Sequence, residues 1–352
     1  MSKETTKQKT WAQAAAGKRV LFITTHRIDY IRNTQHIEEL KKQGASVRCL
    51  YREVSGTGNH IFSAAKIFFT LLFTSLSDVD VVVVSYMCQL VTPFLNWKLK
   101  KKTLVVDFFV SLYDSMVNDR KMLGPKNPLA RLIRWLDIHS VRYADRIIVD
   151  TKAHGDYFCQ AFGMKRERME VVYLNADTSI YYPRPQKKAP EFQGKFLVVY
   201  FGTVIPLQGF DIVLDAVRRL KDRKDIHFYL VGPVEKRYQK VESDTVTYAD
   251  WVSQERLAEI IAMADLCLAG HFNGQIMKAR RTIPGKAYIY EAMEKPMILG
   301  DSPANHERYQ EGQPGIWFVP MGDAGKLAER IAKLAGVKEI DTAIDYGDRS
   351  GL

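Results

Sequence analysis

Two kinds of stretch alternate along the chain. Short runs of β-branched and other apolar residues are followed by segments whose apolar positions recur every three or four residues. "RVLFITT" (19–25), "SVRCLY" (46–51), "VDVVVVSY" (79–86), "TLVVDFF" (103–109), "RIIVDT" (146–151) and "MEVVYL" (169–174) read as strands. Between them, "IRNTQHIEELKKQG" (31–44) reads as an amphipathic helix stopped by Gly44. In "PLARLIRWLDIHSVRYAD" (128–145), Leu129, Leu132, Ile133 and Leu136 share one helical face, which predicts a core-facing helix. Nearly continuous apolar strands separated by helices predict a parallel sheet covered on both faces.

The alternation breaks at "YYPRPQKKAPEFQGK" (181–195), which holds three prolines and a cluster of charges and reads as a linker. It then restarts with strands "FLVVYFG", "HFYLVG", "LCLAG", "PMILG" and "IWFVP", and with helices near 210–223, 253–264, 286–294 and 323–335. The predicted fold class is α/β. Residues 1–17 are a loose tail, 18–180 and 196–336 are two Rossmann-like domains, and 337–352 are a second tail. A ligand is expected beyond the carboxyl ends of the strands, in a cleft between the domains.

A chain of 352 residues is long enough for two such cores. Its formal charge of +11 points to an anionic partner without choosing among nucleic acid, a phosphorylated ligand and an acidic membrane. The basic residues are spread out and no nucleic-acid module is visible, so no nucleic-acid partner is expected. Cys49, Cys88, Cys159 and Cys267 form no CxxC pair and read as reduced core thiols of a cytoplasmic protein. The histidines lack HxxxH or HExxH spacing, which predicts no metal site. "IFSAAKIFFTLLFTSLS" (61–77) contains Lys66 and is too short to span a bilayer. It reads as buried or interfacial. With the basic "NWKLKKK" (96–102) it raises a second expectation, peripheral attachment to an anionic membrane on its inner face.

The candidate chemistry gathers in the second half. In "YFGTVIPLQGFD" (200–211), Gly202 follows a strand and Gly209 precedes a helix, so backbone N–H groups can approach a phosphate. A plain tight turn is the other reading. "KARRTIPGKAYIYEAMEKP" (278–296) sets Lys278, Arg280 and Arg281 before a helix that Pro284 opens, with Lys286 in its first turn. A cation there opposes the helix dipole unless an anion is bound, and a nucleotide diphosphate is the anion expected. A solvated basic loop is the alternative. "GTG" (56–58) fails as a dinucleotide fingerprint, because it follows the second strand and its third glycine position holds Ile61. Asp107 and Asp114, at the carboxyl side of "LVVDFF", are candidates to line the cleft or to cap a helix. No nucleophile motif or GxxxxGK[ST] loop is present.

These segments resemble the retaining, nucleotide-sugar glycosyltransferases of family 4 (group 1). The likeness runs over roughly residues 19–335 and is strongest over 197–320. "YFGTVIPLQGFDIVLDAVRRL" is similar to the family's glycine turn and helix, and "LAEIIAMADLCLAG" to its helix-Ala-Asp-strand segment. "KARRTIPGKAYIYEAMEKPMILGDSPA" is similar to a subset with Pro-x-Lys before the sugar-nucleotide helix. "FITTHRIDYIRNTQHIEELKKQGASV" is similar to the opening strand, loop and helix. The resemblance implies a GT-B-type architecture of two facing Rossmann-like domains. It implies metal-independent hexosyl transfer with no cofactor, from a nucleotide-sugar donor on the second domain to a glycan or lipid-linked acceptor on the first. Polysaccharide synthesis is the setting it suggests.

By resemblance Gly202, Thr203, Gln208, Gly232, Pro233, Lys278, Arg281, Pro284, Gly285, Lys286 and Glu291 bind the donor, while Lys286 and Asp107 are the catalytic candidates. Three positions depart from the family. Gln208 stands where many members have lysine, Ile283 where they have a first glutamate, and the second glutamate position falls on Ile289 rather than Glu291. A sugar-nucleotide 2-epimerase and a catalytically weakened nucleotide-sugar binding protein are the alternatives.

Overall fold

The computed structural model describes residues 9–51 and 60–336. The chain divides into two compact units between Asn175 and Ala176. The first unit runs β1 (Arg19–Thr24), α1 (Ile31–Lys42), β2 (Ser46–Leu50), α2 (His60–Phe73), β3 (Val81–Ser85), α3 (Thr92–Leu99), β4 (Thr103–Asp107), α4 (Pro128–Ser140), β5 (Arg146–Val149), α5 (Lys152–Phe162) and β6 (Met169–Val171). The second runs β7 (Phe196–Phe201), α6 (Phe210–Leu220), β8 (Ile226–Val231), β9 (Val246–Ala249), α7 (Gln254–Met263), β10 (Leu266–Gly270), α8 (Gly285–Ala292), β11 (Met297–Gly300), β12 (Ile316–Val319) and α9 (Ala324–Ala335). "GTG" (56–58), the chain up to residue 8 and the 337–352 tail lie outside the described residues.

Each unit carries a six-stranded, all-parallel sheet, in the orders β2-β1-β3-β4-β5-β6 and β12-β11-β10-β7-β8-β9. The period of two along a strand shows why both faces are apolar. Leu21, Ile23, Val82 and Val84 enter one core of the first unit, while Val20, Phe22, Val81 and Val83 enter the other. In both sheets the strand order reverses beside the first strand, between β1 and β3 and between β7 and β10. The carboxyl ends of those pairs are the places where this topology leaves a crevice.

Four expectations need correction. The stretch 10–17 is not a loose tail: Trp11, Ala12 and Ala15 are buried against Phe22, Ile37 and Leu40, and the Trp11 N–H donates to Glu170 Oε2 at 2.7 Å. One indole supplied the apolar area that a polar, alanine-rich segment otherwise lacks. The stretch 181–195 is not a free linker either, because Tyr181 and Phe192 are buried and Lys188 pairs with Asp265 within the second unit. The face of α4 is turned: Ala130, Ile133, Asp137 and Ser140 point inward, while Leu129 and Leu132 are exposed. Asp137 draws that face in, since it accepts from Ser111, Gln89 and the backbone of Leu112 and Tyr113. Two of the four thiols, Cys49 and Cys159, are only partly buried, and all four are free.

Trp11→Ala should therefore destabilise the first unit by about 3–5 kcal/mol, as loss of a buried indole does. Urea unfolding of the full chain measures it. A change within about 0.5 kcal/mol, the range of surface substitutions, would mean the segment is as loose as its composition suggests.

Candidate functional site

The second unit's site is built at the reversal between β7 and β10. β7 ends in Gly202, and a Cβ there would lie 2.5 Å from Gln208 Oε1 and 3.2 Å from Lys286 Nζ. Only glycine leaves this space. Gly232, which follows β8, has φ +140°, and a Cβ on it would meet the Gly202 carbonyl oxygen at 2.2 Å. The two strand ends thus approach backbone to backbone. Gly209, at φ +68°, starts α6 and is pressed against the Phe272–Asn273 backbone. Val204 sits at φ 51°, a rare conformation for a β-branched residue, so strain is stored in the turn between the two glycines.

Lys286 reaches into this space from α8. Pro284 is the cap of that helix rather than its first residue; Gly285 comes first and Lys286 second. The lysine is 5% exposed. Its Nζ donates to Gln208 Oε1 at 2.6 Å and stands 3.9 Å above the Tyr200 ring. Tyr200 OH donates to the same oxygen at 2.6 Å, and Gln208 Nε2 lies 3.4 Å from Thr203 Oγ1. No carboxylate pairs with Lys286 among the described residues. Burial holds its pKa well below the ordinary lysine value. The Tyr200 face offsets part of that penalty through a cation–π contact, while the start of α8 adds to it.

His271, directly after β10, completes the wall. It is buried, and its pKa is pushed down to about 3 by burial and then by the charges of Lys286 and Lys278. Its Nδ1 makes no hydrogen bond. The resemblance pointed to neither His271 nor Tyr200. A histidine breaking the run "LCLAGH" at a strand's carboxyl end was the available signal for the first. The Tyr200 hydroxyl was hidden inside an ordinary apolar strand.

The other expected residues fall on either side of this centre. Thr203 is exposed, Pro233 is half-buried after Gly232, and Gly285 is exposed at the first turn of α8. Lys278 and Arg281 are half-buried on the turn around Met277–Arg280, which packs against the Pro206–Gln208 turn. Glu291 is not brought in. It accepts from Arg308 Nε at 2.8 Å, Arg308 Nη2 at 3.1 Å and Tyr309 OH at 2.9 Å, about 140° round the helix from Lys286. Ile289, on which the second glutamate position falls, is half-buried.

Asp107 also needs correction as a catalytic candidate. Its carboxylate is buried and accepts from Arg32 Nε and Nη2, each at 2.8 Å, and from Ser85 Oγ at 3.1 Å, with His36 Nε2 also 3.1 Å away. Burial pushes its pKa up, but the Arg32 charge and then His36 pull it below the usual carboxylate range. It anchors α1 to β4 and has no free oxygen for a substrate.

The comparisons agree with this anatomy. Residues 6–179 match the model of glycosyltransferase family 4, and residues 195–336 match that of the group 1 glycosyl transferases. The chain belongs to the family 4 (group 1) glycosyltransferases. Over 162 residues this glycosyltransferase is 26% identical to the MMP alpha-(1->4)-mannosyltransferase of Mycolicibacterium hassiacum. That match spans 42% of the chain and 38% of the relative. Sucrose-phosphate synthase from Thermosynechococcus elongatus superposes with a TM-score of 0.63 at 14% identity, over 90% of this chain and 89% of that one. HepE of Anabaena, solved with UDP and glucose, superposes with a TM-score of 0.61 at 16% identity, over 94% and 93%. These likenesses establish the GT-B class of two parallel-sheet α/β units.

The buried lysine makes the site testable without a ligand. With its folded pKa depressed, the unfolded chain binds more protons than the folded one between the two pKa values, so stability should rise with pH across that window. Lys286→Met should remove this slope. It should also stabilise the ligand-free protein at neutral pH by about 1 kcal/mol or more, because it replaces a buried, unpaired cation with an apolar chain of similar length. Urea titrations from pH 7 to 10 give both numbers, and destabilisation by Lys286→Met at neutral pH would contradict the account.

Proposed function

We propose that the chain is a retaining, metal-independent hexosyltransferase. It moves a sugar from a nucleoside diphosphate donor to a glycan or lipid-linked acceptor, in cell-surface polysaccharide synthesis. One observation carries the donor side: Lys286 is buried at the start of α8, against Gly202 at the end of β7, with a neutral carboxamide oxygen as its hydrogen-bond acceptor. A diphosphate there would supply the missing negative charge and accept from the free N–H groups of the helix. HepE was solved with UDP and with UDP-glucose, which makes these the first probes.

The same arrangement supports catalysis. As the bond from the anomeric carbon to the diphosphate breaks, charge grows on the leaving oxygen, and Lys286 and the α8 N–H groups are already oriented to meet it. The acceptor hydroxyl bonds to the same face of the anomeric carbon, and its proton passes to the departing diphosphate. Among the described residues no trio of His, Cys, Asp or Glu side chains is placed to hold a metal. Lys286→Ala should lower sugar transfer by about 10²–10³-fold, and calorimetry with UDP in EDTA should still show binding to the unaltered chain. Full transfer by Lys286→Ala, or binding abolished by chelation, would refute the donor site.

Peripheral attachment to the cytoplasmic face of the membrane belongs to the same proposal. No helix among the described residues is long and apolar enough to cross a bilayer. In α2, Ala64, Ile67 and Leu71 are buried, while Phe69 and Phe73 are exposed, and Phe94 and Trp97 of α3 are exposed as well. Phe68 makes an edge contact with Phe94 at 6.4 Å, so the two helices present one aromatic surface, with exposed Lys66 on α2 and exposed Lys100 and Lys101 directly after α3. Exposed patches of this kind mark interaction sites, and each cation near an anionic surface adds about 1 kcal/mol. The chain should float with anionic liposomes at low salt, and Phe73→Ser with Trp97→Ser should reduce flotation. Absence of flotation at low salt would remove this part of the proposal.

A further inference from the structure

The first unit carries its own unassigned feature at the reversal between β1 and β3. His26 follows β1, Tyr86 follows β3, Phe109 follows β4, and Tyr30 precedes α1. Their rings form one cluster. His26 lies 4.4 Å from Tyr86 and 4.9 Å from Tyr30, Tyr30 lies 6.0 Å from Tyr86, and Tyr86 lies 5.9 Å from Phe109. All four are half-buried, and Tyr30, Tyr86 and Phe109 stand outside both cores of the unit.

Three details show that the cluster is held in place. Tyr86 and Met87 are consecutive non-glycine residues at φ 45° and 51°, a strained pair that turns Tyr86 out at the strand end. Thr25 Oγ1 donates to the Tyr86 carbonyl at 2.8 Å and fixes that turn. The Arg32 guanidinium, locked by Asp107, lies 4.5 Å from the centre of the Phe109 ring. Burial raises the phenol pKa values of Tyr30 and Tyr86, which keeps both hydroxyls protonated.

We propose that His26, Tyr30, Tyr86 and Phe109 form a cradle for one neutral pyranose ring, the terminal sugar of the acceptor. The proposal rests on the glycosyltransferase reading and deepens its acceptor side. A pyranose has apolar C–H faces and a rim of hydroxyls. Tyrosine and histidine match both, with an aromatic body and a polar tip. A lipid chain would be better served by aliphatic walls. The cation beneath this cradle, Arg32, is already neutralised by Asp107, and Arg120, whose charge also acts on Tyr86, is exposed to water. The topology supports the position, since ligands of such sheets bind where the strand order reverses.

The test uses the full chain with methyl glycosides of glucose, galactose and mannose and their disaccharides, followed by saturation-transfer NMR and titration. At least one glycoside should bind through its C–H face. Tyr86→Ala and Phe109→Leu should each weaken that binding by about tenfold or more, and Tyr86→Phe should preserve most of it. Thermal unfolding of each variant identifies any that has lost its fold, and Phe109→Leu keeps the test available if Tyr86→Ala does not fold. No glycoside binding, or binding undiminished in folded Tyr86→Ala and Phe109→Leu, would overturn the cradle. UDP binding by the unaltered chain is measured separately. If UDP binds and no glycoside does, the cradle alone fails; if UDP does not bind, the donor reading fails.

Discussion

An ammonium group buried without a carboxylate partner is the constraint around which the second unit is arranged. Lys286 loses hydration, gains only a carboxamide oxygen and an aromatic face, and sits at the unfavourable end of a helix. Packing alone would select an apolar side chain of the same length. Its neighbours make sense together as a setting for a ligand that carries the opposite charge. Gly232 lets the Gly202 carbonyl come close, Gly202 lets Gln208 and Lys286 come close, Gln208 bridges Lys286 and Tyr200, and His271 is held neutral by its burial and by the nearby cations.

The first unit handles a buried cation the other way. Arg32 is as deeply buried as Lys286, but Asp107 receives it bidentately, His36 and Ser85 take up the remaining carboxylate capacity, and Val172 accepts from Nη1 at 3.1 Å. The guanidinium and the carboxylate of this cluster are paired with each other and have nothing to offer a charged ligand. It serves as a rigid floor, tying α1, β3 and β4 together beneath the aromatic rings at their ends. The same topology is thus finished in two ways: a cation without a carboxylate partner at one strand reversal, and a paired cation beneath a cluster of aromatic rings at the other.

Most of the architecture was legible in the chain because parallel strands buried on both faces leave continuous apolar runs, and among the described residues eleven of the twelve strands were read from β-branched and apolar runs. The exception, β9, is four half-buried residues at a sheet edge, too short and too mixed to stand out. The errors have a common origin. Trp11, Phe192 and Asp137 are single side chains, each of which decides how its segment is packed. Window-averaged patterns do not register one indole in a polar tail or one carboxylate on an apolar helix face.

The site was legible in part, for a related reason. Lys286 could be found because its position conflicts with the helix dipole, and Gly202 because a glycine ends a strand. Both are local conflicts that a sequence displays. Glu291 and Asp107 show no such conflict, and the structure gives each a full set of partners in its own unit. Tyr200 lies inside β7, where its ring fits the apolar pattern and its hydroxyl only acquires meaning once Gln208 folds back across Gly202. A residue whose local environment already satisfies it is a poor candidate for binding, however well its type suits the chemistry. A residue that the fold leaves unsatisfied is a good one, and in the second unit that residue is Lys286.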